Sequence, residues 1–466
     1  MANGLVIAAP RSGSGKTTLT LGLLAALRSR GIAVAPAKTG PDYIDTAILS
    51  RAAGREAINL DPWAMSPSRL QSLAAGHAAD ADLLLVEGVM GLFDGAADGT
   101  GSTGDLAATL GLPVILVVDA ERQSQSIAPL VMGFANWRPE VKIAGLIVNR
   151  VAATRHEAML RAALAATGIP ILGVIPRRET LSMPGRHLGL VLPDEISGFD
   201  TLVAAAAEVV SDFVDLNMLL ALSSPLIRRF APPSPAKLGA HLPPCGGESR
   251  SGRGEAETFG PAREGKAASS GLLPPLGQRI AIARADAFAF VYDWALEGWR
   301  EAGAELVPFS PLADEAPDST ADAIFLPGGY PELHGARLAG ATHLKAGLIA
   351  ARDRGALIYG ECGGFMMLGE TLTDKSGATH QMAGLLPVHT RIDRPKRTLG
   401  YRRLAHASPL PWPQNLNGHE FHYSSVKQLR TAPLFAATDA LGEVLPPMGA
   451  VDGRVMGSYA HVIDVA

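Results

Sequence analysis

The sequence predicts an α/β protein of two domains, an N-terminal parallel-sheet domain over residues 1–227 and a second α/β domain over 278–466, joined by a linker over 228–277. Three observations predict it. The chain opens with an apolar strand that runs into a glycine-rich loop and a helix, the signature of a P-loop. Strand-length apolar runs then alternate with helical stretches, which means a parallel sheet covered on both faces. The alternation stops near Arg228 and a second one starts at Arg279. A chain of 466 residues is long enough for two separate cores.

Residues 5–9 read as a buried strand, followed by Pro10-Arg11-Ser12-Gly13-Ser14-Gly15-Lys16-Thr17-Thr18 and the helical run 19–28. Successive backbone N–H groups and a helix N-terminus in this context cradle phosphates. Gly13, Ser14, Gly15, Lys16, Thr17 and Thr18 are therefore the candidate nucleotide contacts, with Lys16 reaching the terminal phosphates and the Thr17 hydroxyl binding Mg2+. Pro10 stands where the usual motif has its first glycine.

Further strands are expected at 32–37, 82–87, 114–119, 143–149 and 171–175, and ligands should gather at their carboxyl ends. Glu87 ends the run Leu83-Leu84-Leu85-Val86-Glu87, where a second magnesium ligand is needed. The segment 86–95 that follows is too apolar and glycine-rich for an idle surface loop, and it carries Asp94. Lys38-Thr39-Gly40-Pro41-Asp42-Tyr43-Ile44-Asp45 follows the second strand and sets a lysine and two carboxylates near the phosphates. Asp42, Asp45 and Asp94 are candidates for metal binding or for orienting reacting groups, and sequence does not divide these tasks among them. Asn149 is a candidate contact to adenine, and 186–189 a segment near nucleotide or substrate.

Residues 228–277 are rich in Pro, Gly, Ser and mixed charge without apolar periodicity, a disordered linker by composition. Cys245 falls inside it. Cys245 and Cys362 are the only cysteines, which excludes a disulfide framework or a cysteine zinc site. A 47% hydrophobic fraction, 18% charge and a net charge of −4 give no general attraction to nucleic acid or membrane. No apolar run reaches membrane-span length and the N-terminus enters the P-loop strand, so the cytoplasm is the expected compartment. The sequence holds no internal repeat.

In the second domain, strands are expected at 280–283, 305–308, 323–326 and 356–359. The last enters Gly360-Glu361-Cys362-Gly363-Gly364, a strand-to-helix elbow that lifts a nucleophile above a sheet. Phe325-Leu326-Pro327-Gly328-Gly329-Tyr330 offers a second glycine turn, and Gly457-Ser458-Tyr459-Ala460-His461 a base. Cys362 is the candidate nucleophile, His461 its base, and the Gly329 and Gly363 N–H groups the oxyanion hole.

This constellation resembles the class I glutamine amidotransferase domain. Together with the segments at 38–45, 86–95, 326–332, 360–364 and Gly418-His419-Glu420-Phe421-His422-Tyr423-Ser424, it looks like the a,c-diamide synthases of corrinoid biosynthesis, over nearly the whole chain except the linker. The resemblance implies a dethiobiotin-synthetase-like N-terminal fold joined to a triad-type glutaminase. It also implies ATP and Mg2+ as cofactors, L-glutamine as nitrogen donor, and amidation of the a and c acetate carboxylates of hydrogenobyrinic acid, with the cobalt-containing acid as the alternative substrate. A second copy of the chain is a candidate partner. In one place the sequence departs from the pattern: most amidotransferases carry glutamate two residues after the histidine, where Ile463 stands here. Glu420 or His422 is the candidate third member, or a substrate contact. A rival reading, a P-loop nucleotide switch of the partitioning type, leaves Cys362, Gly329 and His461 without a task.

Overall fold

The computed structural model describes residues 2–178, 196, 198–226, 273–429 and 431–466. The expectations for 186–189, for Cys245 and for the linker up to residue 272 lie outside the described residues. In the first half, strands β1 (Asn3–Ala8), β2 (Val34–Thr39), β3 (Ile58–Leu60), β4 (Leu83–Glu87), β5 (Val114–Asp119), β6 (Ile143–Val151) and β7 (Ile171–Pro176) form a parallel sheet. Its order is β3-β2-β4-β1-β5-β6-β7, and β8 (Ser224–Pro225) joins β1 antiparallel. Every residue of β5 is buried, which explains why its span was readable: a strand covered on both faces is apolar throughout. Helices α1 (Lys16–Ser29) and α2 (Tyr43–Ala53) start at the carboxyl ends of β1 and β2.

The second half contains a sheet in the order β10-β9-β11-β12-β22-β21, built from β9 (Arg279–Ala283), β10 (Glu305–Phe309), β11 (Ala323–Leu326), β12 (Leu357–Glu361), β21 (Ala450–Asp452) and β22 (Val455–Ser458). It is parallel except for β21. Expected at 356–359, β12 runs on to Glu361, because β22 continues to pair with it as far as Glu361↔Ser458.

Two further sheets went unforeseen. One is the mixed sheet of β13 (Thr371–Thr373), β14 (Thr379–Gln381), β15 (Val388–Arg391) and β18 (Ser425–Leu429). The other is the antiparallel sheet of β16 (Thr398–Ala405), β17 (Asn415–His422), β19 (Phe435–Thr438), β20 (Val444–Met448) and β23 (His461–Val465).

The halves share their cores. Tyr292, Trp294 and Ile463 pack into the apolar cluster under β1, β4 and β5, and Phe290 and Tyr330 into the one beneath α1 and α2. Trp63 stacks on Tyr401 with ring centroids 4.4 Å apart, a contact worth about 1 kcal/mol beyond its burial. The Tyr401 hydroxyl donates to both oxygens of Asp61, at 3.2 and 3.1 Å, and Asn417 donates to the Ala64 carbonyl at 3.1 Å. Among the described residues no helix is long and apolar enough to cross a membrane.

Candidate active sites

The P-loop occupies the carboxyl end of β1, between β4 and β5. Gly13 and Gly15 adopt φ of 80° and 85°, the left-handed region that only glycine enters without strain. A Cβ on Gly15 would meet the Asn149 amide at 2.3 Å. Asn149 braces the loop: its Nδ2 donates to the Ser14 carbonyl at 2.9 Å, and its Oδ1 accepts from the Arg150 N–H at 2.9 Å. Both ends of the amide that sequence reasoning offered to adenine are thus engaged. Arg150 adds a bond to the Gly13 carbonyl at 2.8 Å and an ion pair with Asp119, a brace with no local sequence signature.

Lys16 and Thr18 are buried at the start of α1, and burial pushes the Lys16 ammonium below its ordinary pKa, with Glu87 opposing. The Thr17 hydroxyl donates to Glu87 Oε1 at 2.7 Å. Glu87 is fully buried and its Oε2 has no partner. An orphaned carboxylate oxygen beside the P-loop threonine is a fit for Mg2+, which takes few protein ligands and completes its octahedron with phosphates and water. Asp94 is exposed, and its Oδ2 accepts from the Gly91 N–H at 2.8 Å, while Leu92 N–H bonds the Ala9 carbonyl. The loop 88–95 is thereby folded back onto the P-loop strand.

Lys38, buried under this site, links it to α2. Its ammonium lies 2.7 Å from Asp45 and 3.2 Å from Glu87. Burial works against the charge, but Asp45, Glu87 and Asp42 outweigh it and raise the pKa of Lys38. Asp42 caps α2, its Oδ1 accepting from the Ile44 and Asp45 N–H groups at 2.9 and 3.0 Å, the usual task of Asp at this position. Asp42 also lines a second cavity, and Tyr43 projects into it from the first turn of α2.

That cavity, of about 280 Å³, lies between the halves and contains Cys362, His461, His422 and Gly329. Cys362 sits between β12 and the helix Gly363–Leu368 at φ 45°, ψ −102°, a conformation that stores strain at an elbow. A Cβ on Gly364 would stand 1.9 Å from the Leu326 carbonyl, which is why the elbow needs glycine. One on Gly363 would stand 3.0 Å from the Gly329 nitrogen, so the two expected oxyanion donors adjoin. Burial, followed by the Glu332 charge, pushes the Cys362 thiol up to about 12. A thiol held there is neutral near pH 7 and forms a thiolate only with the help of a base.

His461, 1% exposed, packs against Gly328. Its Nδ1 lies 3.3 Å from the Tyr43 hydroxyl and 3.6 Å from Glu361 Oε2. Glu361 is fixed by its other oxygen, which accepts from the Val462 N–H at 3.2 Å and the Tyr359 hydroxyl at 3.1 Å. The expected third member is otherwise engaged. The register that sets His419 opposite His461 places Glu420 one residue further along β17, where Arg402 Nε donates to it at 2.6 Å and His422 lies 3.3 Å away. Burial opposes the Glu420 charge, but His422 and Arg402 hold its pKa down. His422 stacks on Tyr459, with centroids 4.0 Å apart. Ile463 is buried in the shared core, and Asp464 faces Arg69 of the other half at 3.8 Å.

Comparison with known proteins assigns a family to each half. Residues 5–191 match the CobQ/CobB/MinD/ParA nucleotide binding domain, and residues 279–464 the CobB/CobQ-like glutamine amidotransferase domain. A nucleotide-binding half and a glutaminase half in one chain define a glutamine-hydrolysing amide ligase. Hydrogenobyrinate a,c-diamide synthase of Brucella abortus is 50% identical over 99% of this chain and 98% of its own length. The proteins of the same name from Rhizobium meliloti and Rhodobacter capsulatus are 47% and 46% identical, each over 99% of this chain and over 99% and 98% of their own lengths. The chain belongs to the hydrogenobyrinate a,c-diamide synthase family.

Proposed function

We propose that this chain amidates the a and c acetate carboxylates of hydrogenobyrinic acid, using ATP and glutamine, by way of acyl phosphates. The observation that carries the reading is the shared cavity: the synthetase half reaches the glutaminase histidine directly through Tyr43.

In the glutaminase half, Glu361 and Tyr43 both face Nδ1 of His461, which favours the tautomer with its proton there and leaves Nε2 to accept the Cys362 proton. Glu361, the residue before the nucleophile, takes the orienting role that the sequence pattern assigns to position 463. The thiolate attacks the glutamine side-chain amide, and the Gly329 and Gly363 N–H groups receive the oxyanion. His461 then returns the proton to the leaving ammonia, and water hydrolyses the thioester to glutamate.

In the synthetase half, a carboxylate cannot expel hydroxide, so it is first phosphorylated by the γ-phosphoryl group of ATP. Ammonia then displaces phosphate. Lys16 and the loop N–H groups hold and neutralise the triphosphate, and Thr17 and Glu87 would hold Mg2+. When bound, that ion neutralises charge on the β- and γ-phosphates. Asp42, Asp45 and Asp94 are assigned to shaping this site, Asp45 through Lys38 and Asp42 through the start of α2.

The test offers equal amounts of hydrogenobyrinic acid and its cobalt-containing counterpart with ATP, Mg2+ and glutamine, and follows products by mass spectrometry. The metal-free a,c-diamide should form in excess. Preferential use of the cobalt form would overturn the substrate assignment.

A further inference from the structure

Glu332 is a carboxylate that the mechanism above leaves without a task. It is the second residue of the short 3-10 helix Pro331–His334, directly after the Gly328-Gly329 turn. Pro331 presses on the elbow, since a Cβ on Gly363 would stand 2.8 Å from its Cδ. Glu332 and Cys362 line the same cavity. The other carboxylates around it are engaged: Asp42 caps α2, Glu361 holds the Val462 N–H, and Glu420 is paired with Arg402. Among the described residues Glu332 has no cationic partner.

A carboxylate that faces a cavity without a counter-charge is costly unless a ligand supplies one. Here it also opposes the chemistry, because it adds to the burial that keeps Cys362 protonated. Burial in turn pushes the Glu332 carboxyl up to about 7. A cation arriving beside it would relieve both groups at once. Glutamine carries one, its α-ammonium, separated from the reacting amide carbon by two methylenes and the α-carbon.

We propose that Glu332 anchors the α-ammonium group of the substrate glutamine, setting specificity for the amino acid over simple amides. The inference rests on the reading of Cys362 as the nucleophile. Binding then does two things: it positions the amide over the elbow, and it neutralises the charge that disfavours the thiolate, so the thiol is activated when substrate is present.

The test compares glutamine with glutaramate, which is glutamine without its α-amino group, for the parent chain, Glu332→Gln and Glu332→Asp. The parent should prefer glutamine strongly. Glu332→Gln should lower kcat/KM for glutamine at least tenfold, about 1.4 kcal/mol, mainly through KM, so that the preference over glutaramate collapses. Glu332→Asp, which keeps the charge, should recover much of that preference. Ammonia-supported amidation by the same variants reports that the chain is folded. A Glu332→Gln variant that keeps the parent's preference, or that loses both substrates in equal proportion, overturns the proposal. Failure of the underlying reading looks different: Cys362→Ala would then still hydrolyse glutamine.

Discussion

Replacing Glu361 by glutamine removes one charge while keeping the shape of a buried side chain. Its Oε2 lies 3.6 Å from His461 Nδ1, and unit charges at that distance interact by about 4.6 kcal/mol at an effective dielectric near 20. Losing half of that as the imidazolium develops amounts to roughly fiftyfold in rate. A second effect adds to it. The amide oxygen of the replacement would stay on the Val462 N–H, turning its NH2 group toward Nδ1 and favouring the tautomer that cannot take the thiol proton. In a serine hydrolase the corresponding acid-to-amide change drops kcat by about 10⁴. A cysteine thiol needs less help, so a loss on the order of a hundredfold in glutamine hydrolysis is expected. Glutaminase turnover and ammonia-supported amidation would be measured side by side. Hydrolysis within threefold of the parent, or equal loss with both nitrogen sources, would refute the role of Glu361.

Lys16→Ala should stop amidation with either nitrogen source, by about a thousandfold or more, while glutamine is still cleaved at a basal rate; substantial amidation by the variant would contradict the phosphate-binding role. Burial raises the Asp61 carboxyl to about 6, so its contribution to stability is fullest below its unfolded value near 3.8 and is lost as pH rises through about 6, a change of up to about 3 kcal/mol. Asp61→Asn should therefore flatten the pH dependence of Tm between pH 4 and 6, and identical slopes for both proteins would contradict it.

What was readable in the sequence was whatever is local. The P-loop, the elbow at Cys362 and the buried strands each declare themselves within a few consecutive residues. The span of β5 was read without error because burial on both faces makes every residue apolar. Strands β16 and β17 were invisible for the opposite reason: Thr398–Ala405 and Asn415–His422 mix exposed and buried positions and carry Arg, His and Asn. The contacts to His461 were hidden by distance along the chain. Glu361 stood within the quoted motif, but its meeting with His461 depends on how β12, β22 and β23 come together. Tyr43 lies 418 residues from His461 and arrives only when the halves pack. Ile463, at the position where the pattern has a carboxylate, is a core residue. The carboxylate that meets His461 instead, Glu361, ends the strand that leads into Cys362.

The proposed coupling makes ammonia at Cys362 and uses it at the P-loop half of the same chain. Its most direct test is Cys362→Ala assayed for macrocycle amidation with glutamine and, separately, with ammonium salt. Amidation should vanish with glutamine and persist near the parent rate with ammonia, because ammonia from solution bypasses only the glutaminase. Retained amidation with glutamine, or equal loss with both nitrogen sources, would contradict the account.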